Sequence, residues 1–162
     1  MNTRLAVPQD APAMQRLLNA IIAIGGTTAH EHALTQKYIL ASYIDGPDTI
    51  SCVVAEADGQ VIGFQGLGWW NGEVHIGTFV DPHLQARGSG AALFAATCRI
   101  AHEKGVAEII ASIRADNAAG LAYYARIGFA DVSFDPDFAL SDGRIVGRVH
   151  RRFDLMTDDA HV

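Results

Sequence analysis

The sequence predicts a single-domain α/β protein built on a mixed, mostly antiparallel sheet. Three observations carry this. Apolar runs at 50–57, 61–70 and 73–80 are separated only by Asp58-Gly59 and Asn71-Gly72, two-residue hairpin signals that join strands into an antiparallel meander. The third run is followed by a glycine-rich loop, a helical stretch at 91–104 and another apolar run at 107–113. A strand–helix–strand order of this kind makes the two strands parallel through a right-handed crossover. Finally, 162 residues with 49% apolar and 19% charged side chains suit one well-covered core without low-complexity bias.

Each element has its own local signal. Residues 3–7 read as a short strand stopped by Pro8, because proline cannot donate to a ladder. Asp10 is placed as the N-cap of a helix over 11–24, with Pro12 in the first turn, where its missing N–H costs little. Leu17, Leu18, Ile21 and Ile22 recur at helical spacing and Gly25-Gly26 ends the helix. The polar stretch 27–32 is an extended connection to a second helix over 35–44, with Tyr38, Ile39 and Tyr43 turned inward, and Asp45-Gly46-Pro47-Asp48 is a turn. The helix after Gly88 carries Leu93, Phe94, Thr97, Ile100 and Ala101 on one face, which packs on the sheet. A helix from Asn117 to Gly128, a strand over 129–134, a break at Asp135-Pro136-Asp137, a turn at Ser141-Asp142-Gly143 and a long final strand over 145–155 complete the domain. No repeat or linker divides residues 1–156, and 157–162 form an acidic tail.

A formal net charge of −6 argues against nucleic acid or anionic membrane as a partner. Arg148, Arg151 and Arg152 form a local basic cluster, but alternate residues of a strand face opposite ways. They read as a solvated or subunit-contacting face, so a homodimer is allowed. Cys52 and Cys98 lie in apolar segments and read as reduced thiols of a cytoplasmic protein rather than a disulfide framework. No apolar run has membrane-spanning length, and no signal-peptide pattern opens the chain.

The chain is organised around Gln85-Ala86-Arg87-Gly88-Ser89-Gly90, between a buried strand and an alanine-rich helix. Such a turn presents unpaired N–H groups and a partial positive charge, which suit phosphate oxygens, and glycine lets the backbone approach a pyrophosphate closely. A dinucleotide fingerprint would need glycine where Leu93 stands, and no Gly-Lys-Ser/Thr triplet makes a P-loop. The pattern Gln/Arg-x-x-Gly-x-Gly/Ala, entered through Val80-Asp81-Pro82, resembles the pyrophosphate loop of the GNAT family of N-acetyltransferases, with Gln85, Arg87, Gly88 and Gly90 matching. A second segment, Asn117 to Phe129, resembles that family's Asn…Tyr-x-x-x-Gly-Phe motif. The element order is also the family's, so the resemblance spans nearly the whole chain. The segment 27–31 looks like the corresponding one in the phosphinothricin and amino-acid acetyltransferase branch.

This resemblance implies a sheet with helices on both faces and one parallel pair splayed at a bulge, for which Gly77 is the candidate. It implies acetyl-CoA as co-substrate, held by residues 85–90 (Gln85, Ala86, Arg87, Gly88, Ser89, Gly90), by Asn117 and by the amide of Phe79 or Val80. Tyr124 takes the position of the hydroxyl beside the thioester sulfur, where it protonates the departing thiolate; Tyr123, one residue out of spacing, is its rival. A base is expected for the amine, and the candidates are His75, Glu31 and Glu73. An imidazole suits titration near neutrality, though a histidine bonded inside the sheet explains His75 as well. His30-Glu31-His32 invites a metal reading, but no third ligand stands at a supporting spacing, so no metal is expected. Trp69-Trp70 read as core and acceptor-pocket wall, and one of the three arginines could meet an acceptor carboxylate. The implied activity is acetyl transfer to a primary amine of a small molecule, an amino acid or analogue as first choice, by direct attack in a ternary complex. A non-catalytic acyl-CoA sensor and a protein N-acetyltransferase are the alternatives.

Overall fold

The computed structural model describes residues 1–84 and 88–156. Seven strands form one sheet in the order β1-β2-β3-β4-β5-β7-β6: β1 (Asn2–Leu5), β2 (Thr49–Ala57), β3 (Gln60–Trp70), β4 (Glu73–Val80), β5 (Glu108–Arg114), β6 (Ala130–Asp135) and β7 (Arg148–Asp154). All neighbours are antiparallel except β4 and β5. The helices are α1 (Ala11–Ile24), α2 (Gln36–Ile39, continued by a π-helical turn at Leu40–Ile44), α3 (Ser89–Glu103) and α4 (Ala118–Arg126). The meander follows from its turns: Asp58 and Asn71 adopt left-handed φ of 52° and 51°, each followed by glycine at φ 75°, the geometry that a two-residue hairpin demands.

Helices cover both faces. Met14, Leu18 and Ile39 pack on Cys52, Val54, Phe64 and Phe79 on one face. On the other, α3 and α4 bring Leu93, Phe94, Ala101 and Tyr124 onto Val53, Leu67, Val74, Ile109 and Ile113. Period-2 alternation puts consecutive residues of β4 on opposite faces. His75, Gly77 and Phe79 therefore look toward α1 and α2, and Val74, Thr78 and Val80 toward α3 and α4.

Three expectations need correction. Gly77 introduces no bulge: the β3–β4 register runs unbroken through Gly66↔Gly77. The parallel pair opens instead because β4 and β5 share one register pair, His75↔Ile110, before separating. Asp10 does not cap α1. Its carboxylate turns back to accept from Arg4 Nη1 and Nη2 at 2.8 Å each and from the Val7 amide at 2.8 Å, since a charge-assisted bidentate pair outweighs a single cap bond. The last strand starts at Arg148 rather than 145, because Gly147 takes φ 74° and the amides of Val146 and Gly147 both donate to Phe138 O.

Candidate active site

A cleft of about 1160 Å³ gathers most of the residues singled out above. Its donor end is the start of α3, where Gly88, Ser89, Gly90 and Ala91 line the wall. Gly88 is the N-cap at φ 85°, a conformation that favours glycine. The first-turn N–H groups of a helix lack intrahelical partners and carry the positive end of its dipole. Gly90 is required for space: a Cβ there would stand 2.7 Å from Tyr123 Cε2. These residues fit a pyrophosphate. Gln85, Ala86 and Arg87 lie outside the described residues.

From there the cleft follows the opening between β4 and β5. Asp81 N donates to Ile62 O at 2.8 Å, so by the alternation of an antiparallel ladder Phe79 bonds toward β3 while Thr78 and Val80 present their amides to the opening. Of the two amides expected there, Val80's has the exposed direction; Phe79 contributes its ring to the α1 face. Tyr124, only 8% exposed, places its hydroxyl 2.8 Å from Thr78 Oγ1. Burial raises its pKa above the usual tyrosine range, which keeps the hydroxyl protonated. Tyr123 also lines the cleft, and its hydroxyl donates to Gly90 O at 2.8 Å.

The acceptor end lies on the α1–α2 face. Gly66 and Gly68 of β3 and Gly77 of β4 line it without side chains, beneath Tyr38, Tyr43, Phe79 and the half-exposed Trp70; half-exposed Trp69 also lines the cleft, but it stands opposite Val74 in the ladder and turns to the other face. The two tryptophans are therefore wall, not core. The connection between α1 and α2 folds over this end because Arg114 Nη1 donates to Thr28 O (3.2 Å) and Asn117 Nδ2 to Thr27 O (3.0 Å). Asn117 Oδ1 simultaneously caps α4 through the Gly120 amide at 2.9 Å.

His75 is half-buried, edge-on to Trp70 with ring centroids 5.2 Å apart. Its pKa falls below the usual 6.5, chiefly through desolvation; nearby Glu73 opposes the shift, and His150 and Arg148 add to it. Glu31 is absent from the cleft lining: both of its carboxylate oxygens accept from the Ser141 amide at 3.0 Å. Its neighbour His30 lines the cleft, with Nε2 3.2 Å from Tyr43 Oη and a pKa lowered by burial. Sequence reasoning weighed His30 only as a metal ligand; its place in the connection was the available signal. Glu73, the third base candidate, is exposed at the start of β4. Arg148 lines the cleft too, its guanidinium 4.4 Å over the Phe138 ring and its buried Nε without a hydrogen-bond partner. Arg151 instead bonds Asp131, and Arg152 lies beside Asp154 and Glu108. Neither Cys52 nor Cys98 is among the lining residues.

A phosphate-cradling helix start, a slot between two parallel strands and a buried tyrosine hydroxyl are what an acyl-CoA-dependent transferase requires. The acetyltransferase (GNAT) family model matches residues 15–129, and the chain belongs to that family. Over 84 residues it is 37% identical to mycothiol acetyltransferase of Clavibacter michiganensis, a match covering 51% of this chain and 28% of that protein. The chain thus spans under a third of the length of such relatives. A Bacillus subtilis protein whose name assigns it, provisionally, to phosphinothricin acetylation is 26% identical over 151 residues, covering 89% of this chain and 93% of that one. An N-acetyltransferase from Staphylococcus aureus has the same fold, at TM-score 0.84 and 18% identity over 95% of this chain and 98% of that one. So has a phosphinothricin acetyltransferase from Sinorhizobium meliloti in complex with AcCoA, at TM-score 0.79 and 18% identity over 94% and 87% of the two chains.

Proposed function

We propose that the protein acetylates the primary amine of a small molecule bearing a carboxylate, an amino acid or analogue, by direct attack in a ternary complex. One observation carries this reading: a single cleft joins the glycine loop and Tyr124 to an acceptor end that holds His75 and a buried arginine nitrogen without a partner. Acetyl-CoA supplies the activated acetyl thioester. The start of α3 holds its pyrophosphate, Asn117 lines the same cleft, and the amide of Val80 polarises the carbonyl. His75 takes the amine proton, directly or through one water, and Tyr124 gives a proton to the departing sulfur. Arg148 orients the acceptor carboxylate, and positioning supplies most of the rate. The absence of cysteine from the cleft lining favours direct attack over an acyl-enzyme. The names of relatives acting on mycothiol and phosphinothricin favour a small-molecule acceptor over a protein. The paired catalytic groups, which a passive acyl-CoA sensor would not need, favour an enzyme.

The test is thiol release from acetyl-CoA with a panel of amino acids, their methyl esters and amines lacking a carboxylate. The best acid should lose about 10- to 100-fold in kcat/KM on esterification, the scale of one charge-assisted contact. Arg148→Gln should erase that preference by raising KM for the acid. Esters turned over as well as acids would mean an acceptor without a carboxylate.

A second test concerns the base. Because the His75 pKa lies below 6.5, the imidazole is neutral at pH 7 and able to accept a proton. In wild type, log kcat/KM should stay level at neutral pH and fall on an acid limb as the imidazole gains its proton. His75→Ala should lower the plateau and remove that acid limb. An unchanged limb in His75→Ala would leave the amine to arrive already neutral.

A further inference from the structure

A chain of hydrogen bonds runs from the donor loop to Tyr124. Tyr123 Oη lies 2.8 Å from Gly90 O and 3.1 Å from Gln65 Nε2. Gln65 Nε2 lies 2.9 Å from Thr78 Oγ1, which in turn is 2.8 Å from Tyr124 Oη. Gln65 is wholly buried, and its Oε1 has no hydrogen-bond partner. A polar side chain buried with half its capacity unused is costly, which points to a task for the other half.

The directions of the first three bonds follow from chemistry. A carbonyl oxygen only accepts, so Tyr123 donates to Gly90. The Tyr123 oxygen must then accept on its other side, and that assigns the nitrogen of Gln65, not the oxygen, to this position. The second hydrogen of that nitrogen goes to Thr78. Thr78 Oγ1 is thereby an acceptor toward Gln65; between Thr78 and Tyr124 either hydroxyl can donate, and with Thr78 as the donor the Tyr124 oxygen accepts. In that order the hydrogen of Tyr124 is left to point into the cleft, which Tyr124 lines.

We propose that Gln65 and Thr78 are positioning residues that order this chain, so that Tyr124 aims its hydrogen at the leaving sulfur. The inference rests on the reading of Tyr124 as proton donor. As the new C–N bond forms and the C–S bond breaks, the Tyr124 proton passes to the thiolate, and Thr78 donates to the phenolate oxygen left behind. His75 holds the amine proton, and both groups re-equilibrate with water after product leaves.

Single-turnover acetyl transfer with Thr78→Val, Thr78→Ser, Tyr124→Phe and the double variant Thr78→Val/Tyr124→Phe tests this. Thr78→Val should be about tenfold slower with acetyl-CoA affinity unchanged, and Thr78→Ser should restore the rate. Adding Thr78→Val to Tyr124→Phe should cost nothing more, because the two groups act as one unit. Gln65→Met, which removes the hydrogen that Thr78 accepts from Gln65, should show the same loss and the same lack of additivity, and it serves if Thr78→Val does not fold. A wild-type rate in Thr78→Val, or a full additional loss in the double variant, overturns the ordering role while Tyr124→Phe stays slow. A wild-type rate in Tyr124→Phe itself overturns the donor reading and this inference with it.

Discussion

Gly90→Asp is expected to abolish the rise in melting temperature that acetyl-CoA gives the wild-type protein. A ligand at 100 times its Kd stabilises the folded state by about 2.7 kcal/mol, which for a domain of this size is a shift of roughly 5–10 °C. In the variant the new Cβ would meet the Tyr123 ring at 2.7 Å. Either the ring moves and Gly90 O loses its hydrogen bond, or the start of α3 moves and the pyrophosphate site is lost. The added carboxylate also repels the pyrophosphate wherever it settles. Gly88→Asp should abolish the shift for a different reason. No atom lies within 4 Å of its would-be Cβ, but φ is 85°, so the backbone resists a side chain and the charge faces the ligand. Gly143→Ala is the control: it too has positive φ, 88°, on an open turn, and it should lower the unliganded melting temperature while leaving the ligand shift intact. An unchanged shift in both aspartate variants would place the coenzyme elsewhere.

Tyr124→Phe should leave that thermal shift nearly intact while slowing turnover on the order of ten- to a thousandfold, the range for a positioned proton donor. The ring keeps its packing, edge-on to Tyr123 and Phe129 at centroid distances of 5.0 and 5.1 Å, so the loss isolates the hydroxyl. Tyr123→Phe tests the rival. It removes the bond to Gly90 O and should weaken coenzyme binding more than it slows the chemical step. Full activity in Tyr124→Phe beside a large loss in Tyr123→Phe would exchange their roles.

The parts of the molecule written in local chemistry were legible in the sequence. Asn-Gly and Asp-Gly turns, helical periodicity and the two motifs placed the sheet, α3, α4 and both tyrosines without any knowledge of distant contacts. What escaped depends on which of several partners wins a polar group or an amide. Asp10 looks like a cap until Arg4 and Val7 compete for it. The start of β7 is set by Phe138 O, which claims two amides that periodicity would give to a strand. Gln65 stands inside an apolar run, a polar residue at a buried parity, and that anomaly was visible before its partners were. His30 stands in the segment likened to the phosphinothricin branch and Arg148 in the basic cluster, but that these two reach the cleft depends on Arg114 and Asn117 tying down the α1–α2 connection and on where β7 begins.

Two of the glycines beneath the acceptor end, Gly66 and Gly77, leave the floor of the cleft open to change. A methyl group at 66 would come 3.0 Å from Tyr43 Cδ1, and one at 77 would come 3.1 Å from Phe79 Cε2. Each neighbour is an aromatic edge that must shift by a few tenths of an ångström, not a backbone atom of the donor site. Single substitutions there subtract volume in small steps from one compartment while the pyrophosphate loop, Tyr124 and its hydrogen-bond partners stay as they are. Descendants of this chain could drift from bulky to compact ligands along that floor while the opposite end of the cleft stays unchanged.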